Sequence, residues 1–126
     1  MVMKQVSKCK NWREILELVE KDKSMADVKV YFIVNLKIND AETYRKYEKG
    51  FFPILKKHGG EFITFDDNIE HFEGDNPMRG RVILFSFPSI KNAKEWYADP
   101  EYQSLSEYRR KSVTTTLTMV NGLAPR

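Results

Sequence analysis

Two histidines, two arginines and a group of aromatic rings are the side chains here with the chemistry to hold or activate a small molecule. His71 alternates with Glu70 and Phe72 in an extended stretch. There it is either a surface or sheet-pairing histidine, or a general base near neutral pH. Arg81 opens an apolar run and can pair with Glu73 across a hairpin, or grip an anion through two parallel N–H bonds. Arg109 follows Tyr102 by seven residues. That spacing puts both on one helical face, where a guanidinium can orient a carboxylate, enolate or phenolate oxygen. Tyr47, Phe51, Trp96 and Tyr102 supply flat apolar walls, the tyrosines and the tryptophan with polar tips. Together these residues outline a pocket for a small hydrophobic or aromatic molecule between sheet and helices. Tyr97 stands beside them, and ordinary core packing accounts for Trp96 and Tyr102 equally well.

Several other chemistries lack their residues. His58 beside Gly59-Gly60 reads as a helix end, with a cation-capable side chain in the last turn. Asp66, Asp67, Glu70 and Glu73 cluster without the spacing of a calcium loop, as a solvated edge does. The two histidines are too far apart along the chain to suggest a metal site. Cys9 is the single cysteine, so no intrachain disulfide and no multi-cysteine metal site forms, and nothing around it marks a nucleophile. No phosphate loop, G-x-S-x-G elbow or H-E-x-x-H helix occurs. The expectation is a protein with neither metal nor cofactor. Net charge is +3 with both signs interspersed, which gives little attraction to nucleic acid. No apolar run approaches the ~20 residues of a membrane span, and residues 1–12 lack a signal-peptide core. A reducing cytoplasm is the expected setting.

The elements that must position these groups follow from periodicity and punctuation. The 126 residues, 41% of them hydrophobic, suffice for one domain with a real core. Residues 1–27 read as a helical extension: Asn11 and Glu14 form a capping box, and Trp12, Ile15, Leu16 and Val19 make an apolar stripe. From Val28 the period changes to two, with Val30, Phe32, Val34 and Leu36 on one face. Asn39 or Asp40 starts a helix carrying Ala41, Tyr44, Tyr47, Phe51, Ile54 and Leu55, with a kink or restart expected at Pro53. Glu61 to Phe65 alternates as a strand, and Asp66-Asp67-Asn68 interrupts it. Ile69 to Glu73 resumes the extended pattern before the turn at Gly74-Asp-Asn-Pro77. Arg81 to Phe87 is a third strand. Ser89 caps a second helix, and Asp99-Pro100 starts a third. Thr114 to Val120 closes the sheet.

The order is β-α-β-β-α(α)-β, the ferredoxin-like arrangement of an α+β fold with a four-stranded antiparallel sheet. Its domain spans residues 28–122, with residues 123–126 as a tail. Tyr31, Ile33, Val82 and Leu84 make the second face of the sheet apolar as well. Such a patch implies an interface, most simply two sheets packed across a twofold axis as a homodimer. RNA-recognition modules share the topology, but Arg81, Ile83 and Ser86 occupy the positions where their third strand needs stacking rings.

In order along the chain stand Tyr44-x-x-Tyr47, Pro53, His58-Gly59-Gly60-Glu61-Phe62, Glu73-Gly74, Arg81-Val82-Ile83, Phe87-Pro88-Ser89, Ala93, Trp96-Tyr97, Pro100-Glu101-Tyr102-Gln103 and Arg109. From Val28 to Gly122 this set resembles the domain-of-unknown-function 1330 family of the dimeric α/β-barrel superfamily. The resemblance implies a ferredoxin-like fold and a homodimer whose two sheets form a barrel. It implies no reaction. Superfamily relatives include cofactor-free monooxygenases, muconolactone isomerases and haem-degrading enzymes, a likeness at the level of fold. Two functions are therefore expected in parallel: a cofactor-free enzyme, monooxygenase- or isomerase-like, acting on a small hydrophobic or aromatic molecule, or a non-catalytic dimer that binds a small molecule or another protein.

Overall fold

The computed structural model describes residues 28–124. The helix expected around Trp12 to Val19 lies outside the described residues. Strand β1 (Val30–Ile38) leads into helix α1 (Ala41–Lys57), then β2 (Glu61–Asp66) and β3 (Arg81–Phe87). Helices α2 (Ile90–Ala98) and α3 (Pro100–Ser112) follow, and β4 (Val113–Asn121) closes the fold. The strands lie in the order β2-β3-β1-β4, all neighbours antiparallel, with the helices on one face. This is the ferredoxin-like sheet that the alternation predicts.

Local chemistry sets the boundaries. Asp40 caps α1, its carboxylate accepting from the Thr43 backbone N–H at 3.3 Å and from the Thr43 hydroxyl at 2.6 Å. Ser89 caps α2 in the same way through Asn92 N at 3.1 Å. His58 is the C-cap of α1, and Gly59 beyond it takes φ +75, the left-handed position. Pro53 does not break α1, which runs through to Lys57. Gly50 has a packing reason instead: a Cβ there would stand 2.7 Å from Leu105 Cδ1, so the glycine lets α3 lie close against α1.

One expected segment is absent. Ile69 to Glu73 forms no strand, and residues 67–80 run as an irregular loop. The Asp66 side chain accepts the Asn68 backbone N–H at 2.8 Å, which turns the chain away from the sheet directly after β2. The loop returns through Gly80, at φ +82, where any side chain would collide with the carbonyl of Leu36. Asn35 holds that return, donating to the carbonyls of Arg79 at 2.8 Å and Arg81 at 3.1 Å.

The core lies between helices and sheet. Val30, Phe32, Val34 and Leu36 of β1 pack with Phe85 and Phe87 of β3 against Tyr47, Phe51, Trp96 and Tyr102. The opposite face of the sheet carries Tyr31, Ile33, Val82, Leu84 and Val120, half-buried or exposed.

Asp99 ties the far ends of α1 and α3 together. One carboxylate oxygen caps α3 at Glu101 N, 2.9 Å away, and the other meets His58 Nε2 at 2.7 Å and Lys57 Nζ at 3.0 Å. The bonds from His58, Lys57 and the Glu101 N–H hold this carboxyl far below the usual carboxylate range. A pKa lower in the folded than in the unfolded chain adds stability above the unfolded value, about 3.9, that is lost as pH falls toward the folded value. Melting temperature is therefore expected to fall between about pH 5 and pH 2 more steeply in the wild type than in Asp99→Asn, which should be less stable at neutral pH. Parallel melting curves for the two proteins would show that Asp99 has no such role.

Candidate functional site

Helix α1 does not close completely on the sheet. Tyr44, Tyr47, Glu48, Phe51 and Phe52 line one side of a cleft whose floor is Val34, Leu36, Ile83, Phe85 and Leu117. The unfilled volume is about 70 Å³, room for several waters or part of a small organic molecule. At the mouth, Phe52 and Phe65 are about half exposed, and Phe62 packs edge-on to Phe52 with ring centroids 5.2 Å apart. The walls are mainly apolar, and the polar groups come from three elements: Tyr102 and Arg109 of α3, Arg81 of β3 and Thr115 of β4.

These polar groups are in different states. Arg81 is neutralised: its Nε and Nη2 donate to the two Asp67 oxygens at 2.6 and 3.0 Å, and Glu48 lies 3.6 Å from Nη1. Its guanidinium also lies over the Phe65 ring, 4.7 Å from the centroid. The charge-assisted bond from Arg81 lowers the Asp67 pKa, and Asp67 in turn raises that of Arg81. Tyr47 and Tyr102 share a buried hydrogen bond of 2.7 Å between their hydroxyls. Two hydroxyls carry two protons and this bond uses one, so a second O–H remains to donate. Burial pushes Tyr44 up to about 12, against the pull of the Arg81 and Arg109 charges, and also pushes Tyr47 up. Both phenols stay protonated at neutral pH.

Arg109 is the exception. It is 8% exposed, its Nε has no hydrogen-bond partner, and it takes part in no ion pair among the described residues. Its guanidinium lies 5.8 Å from the centroid of the Tyr47 ring, a weak compensation for lost water. Thr115 Oγ1, also buried and also facing the cleft, has no partner among the described residues either.

Of the residues singled out by spacing, Tyr47, Phe51, Tyr102, Arg81 and Arg109 line this one cleft. Trp96 does not. It is fully buried between Phe32, Phe87 and Tyr102, with ring centroids 5.3, 5.2 and 4.1 Å away, and belongs to the core. Tyr97, on the outer side of α2, is 44% exposed. His71 stands in the 67–80 loop, its Nε2 2.7 Å from the Gly74 carbonyl oxygen, and away from the cleft. Arg81 pairs with Asp67 rather than Glu73, because the chain turns away from the sheet at Asp66. The cleft lies under α1 and α3. Spacing missed Tyr44 and Thr115. Tyr44 precedes Tyr47 by three and shares its face, a signal present in the sequence. Thr115 shares the parity of Val113, Leu117 and Met119, so that alternation, too, is a signal present in the sequence. Among the described residues no group of three or more His, Cys, Asp or Glu is placed to hold a metal ion, and no helix is long and apolar enough to cross a membrane.

Comparison with known proteins adds the following. The family model described as "Domain of unknown function (DUF1330)" matches residues 29–123. No curated protein sequence matches the chain. Among solved structures, a protein of unknown function from Rhodopseudomonas palustris superposes with a TM-score of 0.66 at 16% identity, covering 91% of this chain and 96% of that one. SnoaB, a cofactor-independent oxygenase from Streptomyces nogalater, gives 0.55 at 13% identity over 79% of this chain and 95% of its own. A dimeric protein of unknown function and ferredoxin-like fold from Bacteroides fragilis NCTC 9343 gives 0.53 at 13% identity, covering 74% and 95%. At these identities the likeness is one of fold.

Proposed function

The chain belongs to the DUF1330 family, a membership that assigns no reaction, and from that premise we propose that it is a homodimer whose cleft takes a small hydrophobic or aromatic molecule. The observation that carries this reading is the cleft itself: an apolar, ring-lined space with a few polar groups in its lining, the usual build of a small-molecule site. The dimer rests on the apolar second face of the sheet, with the Bacteroides fragilis dimer as a precedent in the same fold.

Chemistry on the bound molecule, of the cofactor-free monooxygenase or isomerase kind, is the fuller form of the proposal, and the SnoaB fold supports it by analogy alone. A second reading, a dimer that binds without catalysis, draws on one feature of the cleft. Glu48 is its sole carboxylate among the described residues, and it sits beside Arg81, 3.6 Å away, at the mouth. The cleft thus offers donors more readily than a base.

Thermal shift with a panel of one- and two-ring compounds (acids, phenols, 1,3-diketones and neutral rings) tests the site. Members of the panel are expected to raise the melting temperature of the wild type but not of Ile83→Trp, whose larger side chain fills the cleft floor. Stabilisation that survives in Ile83→Trp, or none across the panel, would remove the cleft as the site. Conversion of a stabilising compound by the wild type selects the enzyme, and its recovery unchanged selects the binding module.

A further inference from the structure

We propose that the buried part of the cleft lining forms an oxyanion subsite, in which Arg109 and Thr115 receive a delocalised anionic oxygen, a carboxylate or an enolate-type oxygen, on an otherwise apolar ring. This rests on the reading of the cleft as a small-molecule site and narrows its ligand to a chemical class.

A guanidinium keeps its charge in proteins, and a buried charge without a counter-ion is a strongly unfavourable state. Among the described residues Arg81 has Asp67 and Glu48 as partners, and Arg109 has nothing of the kind. Both arginines face the same space, so the difference marks the place where a charge is missing. Thr115 Oγ1 supplies a second unpartnered polar atom, and the Tyr47–Tyr102 pair retains one proton to donate. What is missing is therefore an acceptor, and a negative one. A planar guanidinium matches a carboxylate or enolate oxygen better than a compact cation does. The ring-lined remainder of the cleft favours a flat apolar body behind that oxygen.

The same reasoning separates this role from a structural one. A residue present to hold the fold loses stability when replaced. A residue whose unpaired charge is a burden gains it, because an apolar side chain of similar length removes the penalty.

The test is titration calorimetry at neutral pH with benzoate, its neutral isostere benzamide and 4-nitrophenolate, on the wild-type protein, Arg109→Met and Arg109→Lys. Wild type is expected to bind benzoate at least about tenfold more tightly than benzamide, the scale of one charge-assisted bond pair. Arg109→Met should lose that preference, keep its benzamide affinity and, without ligand, melt a few degrees above the wild type. Arg109→Lys should recover part of the preference. If benzoate is favoured over 4-nitrophenolate the subsite takes a carboxylate; the reverse points to an enolate-type oxygen. Equal binding of benzoate and benzamide by the wild type, or a preference that persists in Arg109→Met, would overturn the subsite and leave the cleft as a neutral apolar site. Failure of all three probes to bind the wild type would overturn the subsite together with the reading beneath it.

Discussion

Replacing Ile33 with Asp is expected to split the proposed homodimer into monomers at micromolar concentration. Ile33 lies on the central strand pair, flanked across the ladder by Leu84 on β3 and Thr118 on β4, on the face without helices. In a twofold packing of two such sheets each copy would bury the new carboxylate without a partner. An uncompensated buried charge costs about 3–5 kcal/mol, so two copies cost about 6 kcal/mol or more. At about 1.4 kcal/mol per tenfold, the dimer would weaken by about 10⁴-fold. Sedimentation velocity reads this directly. Lys91→Glu, a charge change on the exposed side of α2 and so on the other side of the sheet, is the control and should leave the dimer intact. Wild type that sediments as a monomer, or Ile33→Asp that remains a dimer, would show that this face is not the interface.

The second large effect concerns Trp96. Its ring is fully buried among Phe32, Phe85, Phe87 and Tyr102, so Trp96→Ala should lose about 3–5 kcal/mol of stability. For a domain of this size that is a drop of about 15 °C or more in melting temperature. Trp96→Phe should lose much less, because it keeps most of the packing and removes an indole N–H that has no partner among the described residues. The sharper expectation is functional. Trp96→Phe should bind cleft ligands as the wild type does, since Trp96 lines no part of that space. Weakened binding with unchanged stability would make Trp96 a wall of the site after all.

Trp96 also shows where a sequence stops being readable. Helix starts were legible because a cap acts within four residues: Asp40 on Thr43, Ser89 on Asn92, Asp99 on Glu101. The inward stripe of β1 was legible because alternation is a property of the strand itself. Arg109 was placed in the cleft by its seven-residue spacing from Tyr102, a relation internal to one helix. Whether Trp96 or Tyr44 completes the wall depends on how α1, α2 and α3 seat on the sheet, which no local pattern encodes. The alternation of Val113, Leu117 and Met119 points Thr115 inward, but its place beside Leu36 in the cleft is a register set by another strand. The partner of Arg81 depends on where the chain leaves the sheet. Asp66-Asp67-Asn68 fitted an interruption within a strand as well as the strand's end, and the side chain of Asp66 decides for the end.

A small anionic ring compound is expected to enter the cleft and meet Arg109. The most direct measurement is the Nε–H resonance of Arg109, followed by NMR as benzoate is added to the full-length protein. The account predicts a saturable downfield shift at Arg109 as a hydrogen bond forms, moving together with the Tyr47 and Phe51 ring signals, while the Arg81 Nε–H, already held by Asp67, stays nearly still. Saturable binding that leaves the Arg109 resonance unmoved, or that shifts Arg81 instead, would contradict it.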